Sequence, residues 1–326
     1  STGLTLPNTN SSVGSYAVAK QRSKGKDTPT GHHEIAGFTD PIGWYTFPEV
    51  VPVFPEEEMN NLIHKANLGG VLGNKHASGE EIINEYGEDH LNTGNPIVYT
   101  SADSVLQIAA HEQVFGLDHL YKTCSIAAEI FYDLRVQRII ARPFLGENKE
   151  EFYRTKNRKD FLIPPPIDTL CDRVIKSGKK CFGVGKISDI FGHRGISESV
   201  SGMSDDKLFD EMLDIILKAN AGDLIFANFV EFDTLYGHRR DLSGYARALE
   251  SFDKKLPKLF SILNKDDFLV ITADHGNDPS FAGTDHTREQ VPVLIKNHNV
   301  INKCYGLINF SDIGSLLETF LGLEKY

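Results

Sequence analysis

Residues 266–275 read "DDFLVITADH". The apolar run is short, bounded by charged residues and rich in β-formers, so it reads as a strand that ends on Asp274-His275. Upstream, "DLIFANFVEFD" (223–233) has the same form and ends on Asp233, and "KKCFGVGK" (179–186) is a third such run. Between them "DDKLFDEMLDIILKANA" (205–221) and "SGYARALESFDKKLPKLFSIL" (243–263) carry the i, i+3, i+4 spacing of helices. Strands alternating with helices imply a parallel sheet covered on both faces. Ligands of such sheets bind beyond the carboxyl ends of the strands, where Asp233 and Asp274 are expected.

Two further clusters sharpen that expectation. Asp285-His286 follows Asp274-His275 by eleven residues, with Gly276, Pro279 and Gly283 between, and His238 follows Asp233 by five. An isolated Asp-His pair is most often a turn or a cap. Clusters at successive strand ends point instead to a metal site of two carboxylates and three imidazoles. Asp/His ligation without Cys suits Mn²⁺, and also Zn²⁺ or Fe²⁺. Two close metals would clamp a transferring phosphoryl group. Asp278 and Asp285 read as turn or supporting residues.

Composition sets the limits. The chain has 326 residues, enough for two domains, and a formal charge of −11, which argues against general nucleic-acid binding. An anionic substrate then needs local positive charge or metal ions. No apolar run approaches membrane-spanning length and no signal peptide is visible. The four cysteines, Cys124, Cys171, Cys181 and Cys304, show no zinc-like spacing and read as free thiols of a reducing cytoplasm. The chain begins at Ser1 and its first methionine is Met59, the pattern expected of a fragment or a processed product.

The middle of the chain differs in texture. "NPIVYTSADSVLQIAAHE" (95–112) reads as strand, loop, then a helix capped near Ser101 or Asp103. "VQRIIARPFLG" (136–146) reads as a strand ending at a basic turn, and "FLIPPPIDTL" (161–170) as a boundary. The expected organisation is a core domain (1–43 and 166–326) with an inserted α/β cap domain (44–165). In "SKGKDTPTGHHEIAG" (23–37), Thr28 before Pro29 fits a helix N-terminus, where exposed N–H groups favour a phosphate. A Thr in that place is also an ordinary N-cap, and its hydroxyl needs a base or a metal to act as a nucleophile. Arg142, Arg154, Arg158 and Lys186 are the candidate phosphate-binding cations. His32, His33, His76, His111 and His193 read as structural.

"TADHGNDPSFAGTDHTRE", "FVEFDTLYGHRRD" and "GKDTPTGHHEIAG" together resemble the phosphopentomutase family of the alkaline phosphatase superfamily. "PIVYTSADSVLQIAAHE", "RIIARPFLG", "RTKNRKDF" and "GKISDI" extend the resemblance from about Gly14 onward. It implies an alkaline-phosphatase-like doubly wound core with an inserted cap, and an enzyme interconverting (deoxy)ribose 1-phosphate and 5-phosphate. By motif, Thr28 would carry a phosphoryl group and pass it to the sugar phosphate through a 1,5-bisphosphate. Two Mn²⁺ ions are implied: one held by Asp274, His275 and Thr28, the other by Asp233, His238 and His286. Ser101, Asp103, Arg142, Arg158 and Lys186 match positions near the substrate. The implied partners are small sugar phosphates, with neither nucleic acid nor membrane, in the cytoplasm; the oligomeric state is unknown. One departure stands out. The family pattern opens with a strand ending in an Asp-Ser-x-Gly-type motif, and no such motif precedes Thr28. The expectation is a chain without that strand and its metal-ligand Asp, hence with weak metal binding and little turnover. Rival readings are another metal-dependent phosphomutase or phosphatase of the superfamily, or an inactive relic that binds sugar phosphate.

Overall fold

The computed structural model describes residues 14–101, 104–297 and 303–323. They form two compact units: one runs up to Ile42 and resumes at Pro165, and the other is Gly43–Pro164.

The first unit opens with β1 (Ser15–Lys20) and α1 (Thr28–Ile35). Strand β1 alternates buried and exposed side chains, turning Ala17 and Ala19 inward. Helix α1 starts where Asp27 accepts the Thr30 N–H at 3.0 Å and the Thr30 hydroxyl at 2.7 Å.

The second unit runs α2 (Glu56–Lys65), β2 (Leu72–His76), α3 (Gly79–Thr93), β3 (Ile97–Thr100), β4 (Val105–His111), α4 (Leu117–Ile130), β5 (Arg138–Leu145), β6 (Tyr153–Arg154) and β7 (Lys159–Leu162). Its sheet order is β2-β3-β4-β5-β6, with β7 also paired to β5. Ser78 and Glu81 form a capping box that starts α3, and Gly94 at φ 72° ends it. Here the expected helix after Ser101 is overturned: residues 105–111 are β4, antiparallel to β3 and parallel to β5. Every residue of β4 is buried, so the run has no exposed stripe, and its apolar periodicity does not separate a buried strand from a buried helix. Asp103 lies outside the described residues.

The first unit then continues through α5 (Leu170–Lys176), β8 (Cys181–Val184), α6 (Ile187–Ile190), β9 (Glu198–Val200), α7 (Asp205–Lys218) and β10 (Leu224–Ala227). It closes with α8 (Leu242–Asp253), α9 (Leu256–Ile262), β11 (Leu269–Ile271), β12 (Val291–Lys296), β13 (Cys304–Asn309) and α10 (Phe310–Leu321). The expected single helix over 243–263 is two, broken at Lys254-Lys255 with Pro257 in the first turn of α9. Strands β10-β8-β9 form a parallel sheet, with Cys181 packed among α5 and α6 residues and Val184 against Leu208, Phe209 and Met212 of α7.

The other sheet of this unit, β11-β12-β1-β13, is mixed: β12 runs antiparallel to both β1 and β11. Its inner face buries Ala19, Val291, Val293 and Ile295 against Phe310 and Ile313 of α10 and Ile35 of α1. Its outer face exposes Tyr16, Val18, Leu294 and Leu307, so this sheet is covered on one face among the described residues. The architecture is α/β throughout. Strand β10 leads into the segment that carries Asp233, and β11 into the one that carries Asp274.

Candidate metal centre

Asp233 lies six residues beyond β10, not at the strand's last residue as expected, in a π-helical turn, Phe232–Gly237. The wide turn has a consequence. The His238 N–H donates to the Asp233 carbonyl at 2.9 Å, which stacks the two side chains and leaves His238 Nε2 3.1 Å from Asp233 Oδ2. His286 Nε2 approaches the other oxygen, Asp233 Oδ1, at 3.2 Å. The imidazoles of His238 and His286 lie 4.7 Å apart, and those of His286 and His275 stack at 3.8 Å. Asp274 Oδ2 is 3.4 Å from His275 Nε2, and the Thr28 hydroxyl is 3.2 Å from the same nitrogen.

The loop from Asp274 to His286 returns on itself because Gly276 and Thr287 form an antiparallel bridge, with the Thr287 N–H donating to the Gly276 carbonyl at 2.9 Å. Helix α1 can approach this loop only through Gly31: a Cβ there would sit 1.7 Å from the Asp274 carbonyl oxygen. That contact brings Thr28, three residues earlier and the first residue of the helix, into the cluster.

The donor set fits a divalent cation. His238 Nδ1 lies 2.6 Å from the Thr284 carbonyl and His275 Nδ1 lies 3.1 Å from the Gly276 carbonyl. A carbonyl only accepts, so each Nδ1 carries a proton and each Nε2 is left as a ligand. For His238 that nitrogen then faces a carboxylate oxygen at 3.1 Å, acceptor against acceptor, which is unfavourable unless a cation or a proton lies between. His286 Nε2 is buried and makes no hydrogen bond. Ligand atoms of Asp233, His275 and His286 all lie within 4.8 Å of one another. This trio crosses the division that the family pattern implies, since His275 was expected with Asp274 and the other two with His238.

Charge and burial pull against each other here. Burial would raise the Asp274 pKa, but His32 and His275 hold it down at about 2. Burial would also raise that of Asp233, and His286 beside it brings it below the usual carboxylate range. His286 is raised in return: burial opposes its charge, and Asp233 outweighs burial. Burial lowers His275 and favours the neutral ligand form.

Three residues in this site were not singled out from sequence as part of it. His32 Nδ1 lies 2.9 Å from the Thr28 carbonyl and 3.2 Å from Asp274 Oδ2, where a structural histidine was expected. Asn277 donates from Nδ2 to Asp233 Oδ1, and Arg240 holds Asn277. The i, i+4 placement of His32 after Thr28 was the one available signal. Lys26 donates to the His286 carbonyl at 2.8 Å and pairs with Asp285 at 2.6 Å, so Asp285 braces the loop. Asp278 caps its own turn at Ser280. Lys186 is exposed at the start of α6.

In the second unit, Arg142 points from the middle of β5, and does not follow the strand as expected; its Nε donates to Gln107 at 2.9 Å. Burial and the neighbouring Arg158 lower its pKa. Arg158 forks onto Asp160 with two bonds of 2.7 Å. The buried Tyr99 hydroxyl lies in the field of Arg142, Arg154 and Arg158, a cluster suited to an anion. Ser101 follows β3, its carbonyl accepting from Thr100 at 3.3 Å.

Comparison with known proteins decides the family. The chain is 51% identical over 313 residues to a phosphopentomutase of Chelativorans sp. (strain BNC1), covering 96% of this chain and 76% of that protein. The chain belongs to the phosphopentomutase family. It is 50% identical to a second phosphopentomutase, from Chromohalobacter salexigens, over 99% of this chain and 78% of the relative. Residues 179–325 match the Metalloenzyme superfamily. A likeness of fold extends to the PH0037 protein of Pyrococcus horikoshii, at TM-score 0.53 and 14% identity over 96% of this chain and 89% of that one. As a member of the phosphopentomutase family the chain is an isomerase, and its superfamily is metal-binding. Among the described residues no helix is long and apolar enough to cross a membrane.

Proposed function

We propose that this member of the family interconverts (deoxy)ribose 1-phosphate and (deoxy)ribose 5-phosphate through a phosphorylated Thr28 and a 1,5-bisphosphate. The observation that carries the reading is the approach of the Thr28 hydroxyl, at 3.2 Å, to a cluster of two carboxylates and three imidazoles. Asp274 and His275, with Thr28, would hold one Mn²⁺, and Asp233, His238 and His286 the other. Bound there, the ions would lower the pKa of the hydroxyl and offset phosphoryl charge.

The remaining roles fall to the chain. Thr28 is the first residue of α1 and its hydroxyl lies 3.2 Å from His275 Nε2, so a phosphoryl group on its oxygen would sit beside the proposed metal ligands. The phosphoryl group leaves Thr28 for the free hydroxyl of the sugar monophosphate, and the other phosphate then returns to Thr28. Arg142 and Arg158, with Ser101 and Asp103, would recognise a phosphate and the sugar, and Lys186 a further anionic group. The site and its substrates are those of an enzyme of soluble sugar phosphates, consistent with a cytoplasmic setting.

The test is direct. With Mn²⁺ and ribose 1-phosphate plus a trace of the bisphosphate, ribose 5-phosphate should accumulate, and Thr28 should be the labelled residue in the trapped phosphoprotein. Release of inorganic phosphate in place of ribose 5-phosphate would make the protein a phosphatase and overturn the reading.

A further inference from the structure

Arg240 is the second arginine of "GHRRD", in a turn with φ 55°, and it enters none of the roles above. Its guanidinium makes no use of a carboxylate in its hydrogen bonds. The acceptors are the carbonyls of Gly237 (2.9 Å), Asp278 (3.1 Å), Asp285 (2.6 Å) and Gly283, and the amide oxygen of Asn277 (2.6 Å). Gly237 belongs to the turn of Arg240 itself, and the other four lie towards both ends of the stretch that links His275 to His286. One rigid, planar fork therefore fixes the loop's width.

The Asn277 contact adds direction. An amide has an acceptor end and a donor end, and Arg240 can bind only the acceptor. With the oxygen committed to Arg240, the nitrogen must face the other way, and there it donates to Asp233 Oδ1. Gly237 leaves the space for this: a Cβ there would sit 2.3 Å from the Asn277 amide nitrogen. Asp233 thus receives its hydrogen bond on a chosen oxygen, while the same guanidinium holds the Asp285 carbonyl immediately before His286.

We infer that Arg240 is a positioning residue which, through Asn277 and the 277–285 loop, holds Asp233 and His286 at the spacing a metal ion needs. This rests on the proposed metal centre. Its removal should act on metal binding first and on chemistry only as a consequence.

The experiment measures Mn²⁺ binding by electron paramagnetic resonance, and melting in EDTA and in Mn²⁺, for the full chain and its variants. Arg240→Met keeps the side chain's bulk and removes the donors. It should weaken Mn²⁺ binding by about tenfold or more, the usual effect of losing a partner behind the ligands. Arg240→Lys should not restore it, because an ammonium cannot span the same acceptors, whereas millimolar guanidinium should restore part of it. Asn277→Ala should show the same loss, and the double variant should be no worse than either single one. If Arg240→Met fails to fold, Asn277→Ala carries the test alone. Parent-like Mn²⁺ affinity in Arg240→Met or Asn277→Ala, or fully additive losses, would overturn the inference. His286→Ala separates the two levels: if it too binds Mn²⁺ like the parent, the metal centre itself is wrong, and if it alone loses the ion, only the role of Arg240 fails.

Discussion

The Thr28 hydroxyl and His275 Nε2 lie 3.2 Å apart although 247 residues separate them in the chain. The contact exists because Gly31 allows α1 to press on the Asp274 carbonyl, and because Asp27, not Thr28, caps the helix. Thr28 is thereby released from a structural duty. Thr28→Ala should melt within about 0.5 kcal/mol of the parent while mutase turnover falls on the order of 10³-fold or more. Thr28→Ser keeps the hydroxyl and should retain measurable turnover. A Thr28→Ala protein that still yields phosphoprotein would remove Thr28 from the reaction.

Asp27→Ala tests the cap that frees Thr28. It deletes both bonds to Thr30 and should cost about 1 kcal/mol of stability. It should also lower turnover, since the first turn of α1 frays where the phosphoryl group would sit. Chemical denaturation and steady-state rates read the two effects. Unchanged stability with lost turnover would mean that Asp27 acts in the chemistry and not as a cap.

Much of the candidate site was legible in sequence because its residues are chemically conspicuous: Asp and His recur after apolar runs, and the structure brings those side chains together. The supporting residues were not legible. Arg240 and Asn277 act through backbone carbonyls and an amide across 37 residues, and His32 through a helical turn against a loop, so spacing along the chain carries no trace of them. The fold shows the same division. The amphipathic α7 declares one face, and the structure buries Leu208, Phe209, Met212 and Leu213. The run 105–111 is buried all round and offers no period, so it was read as a helix capped near Ser101 or Asp103 where the chain forms β4, antiparallel to β3.

His33 gives the fold a pH dependence. Burial holds its pKa down at about 4, against an ordinary 6.5, and its Nε2 stays within 2.9 Å of the Ile190 carbonyl. The folded protein keeps it neutral while the unfolded chain protonates below 6.5. Its contribution is therefore complete above pH 6.5 and is lost as pH falls towards 4, roughly 3 kcal/mol over that window. His33→Gln keeps an N–H donor and does not titrate. Its urea midpoint should vary less between pH 7 and pH 4 than that of the parent. Parallel curves for the two proteins would exclude His33 as the source.

Arg142 and Arg158 differ in what they already hold, and their variants should differ too. Arg158 is engaged by Asp160 on both forks, whereas Arg142 is held by the neutral Gln107. Arg142→Met should raise KM for ribose 1-phosphate by about tenfold or more, the loss of one charge-assisted phosphate contact, with a smaller change in kcat. Arg158→Met removes both short bonds to Asp160 and leaves that carboxylate only the longer Arg138 contact at 3.9 Å, so its charge opposes the anion more strongly and KM should rise further. Initial-rate kinetics over a range of substrate concentrations separate the two constants. A fall in kcat with KM unchanged in both variants would move these arginines from ground-state recognition to the transition state.

Removing metal should be visible in stability as well as in rate. The cluster around Asp233 brings carboxylate oxygens and imidazole nitrogens to 3.1 and 3.2 Å, a spacing that a cation relieves. A ligand that binds only the folded state adds about 2.7 kcal/mol at a hundred times its dissociation constant. EDTA should therefore lower the melting temperature, and Mn²⁺ should restore it in a concentration-dependent way. His238→Ala and His286→Ala should each shrink that shift. The EDTA-treated parent should fall towards the variants because the relieving charge is gone from all three. A melting temperature that ignores both EDTA and Mn²⁺ would leave the histidines as a hydrogen-bonded cluster without an ion.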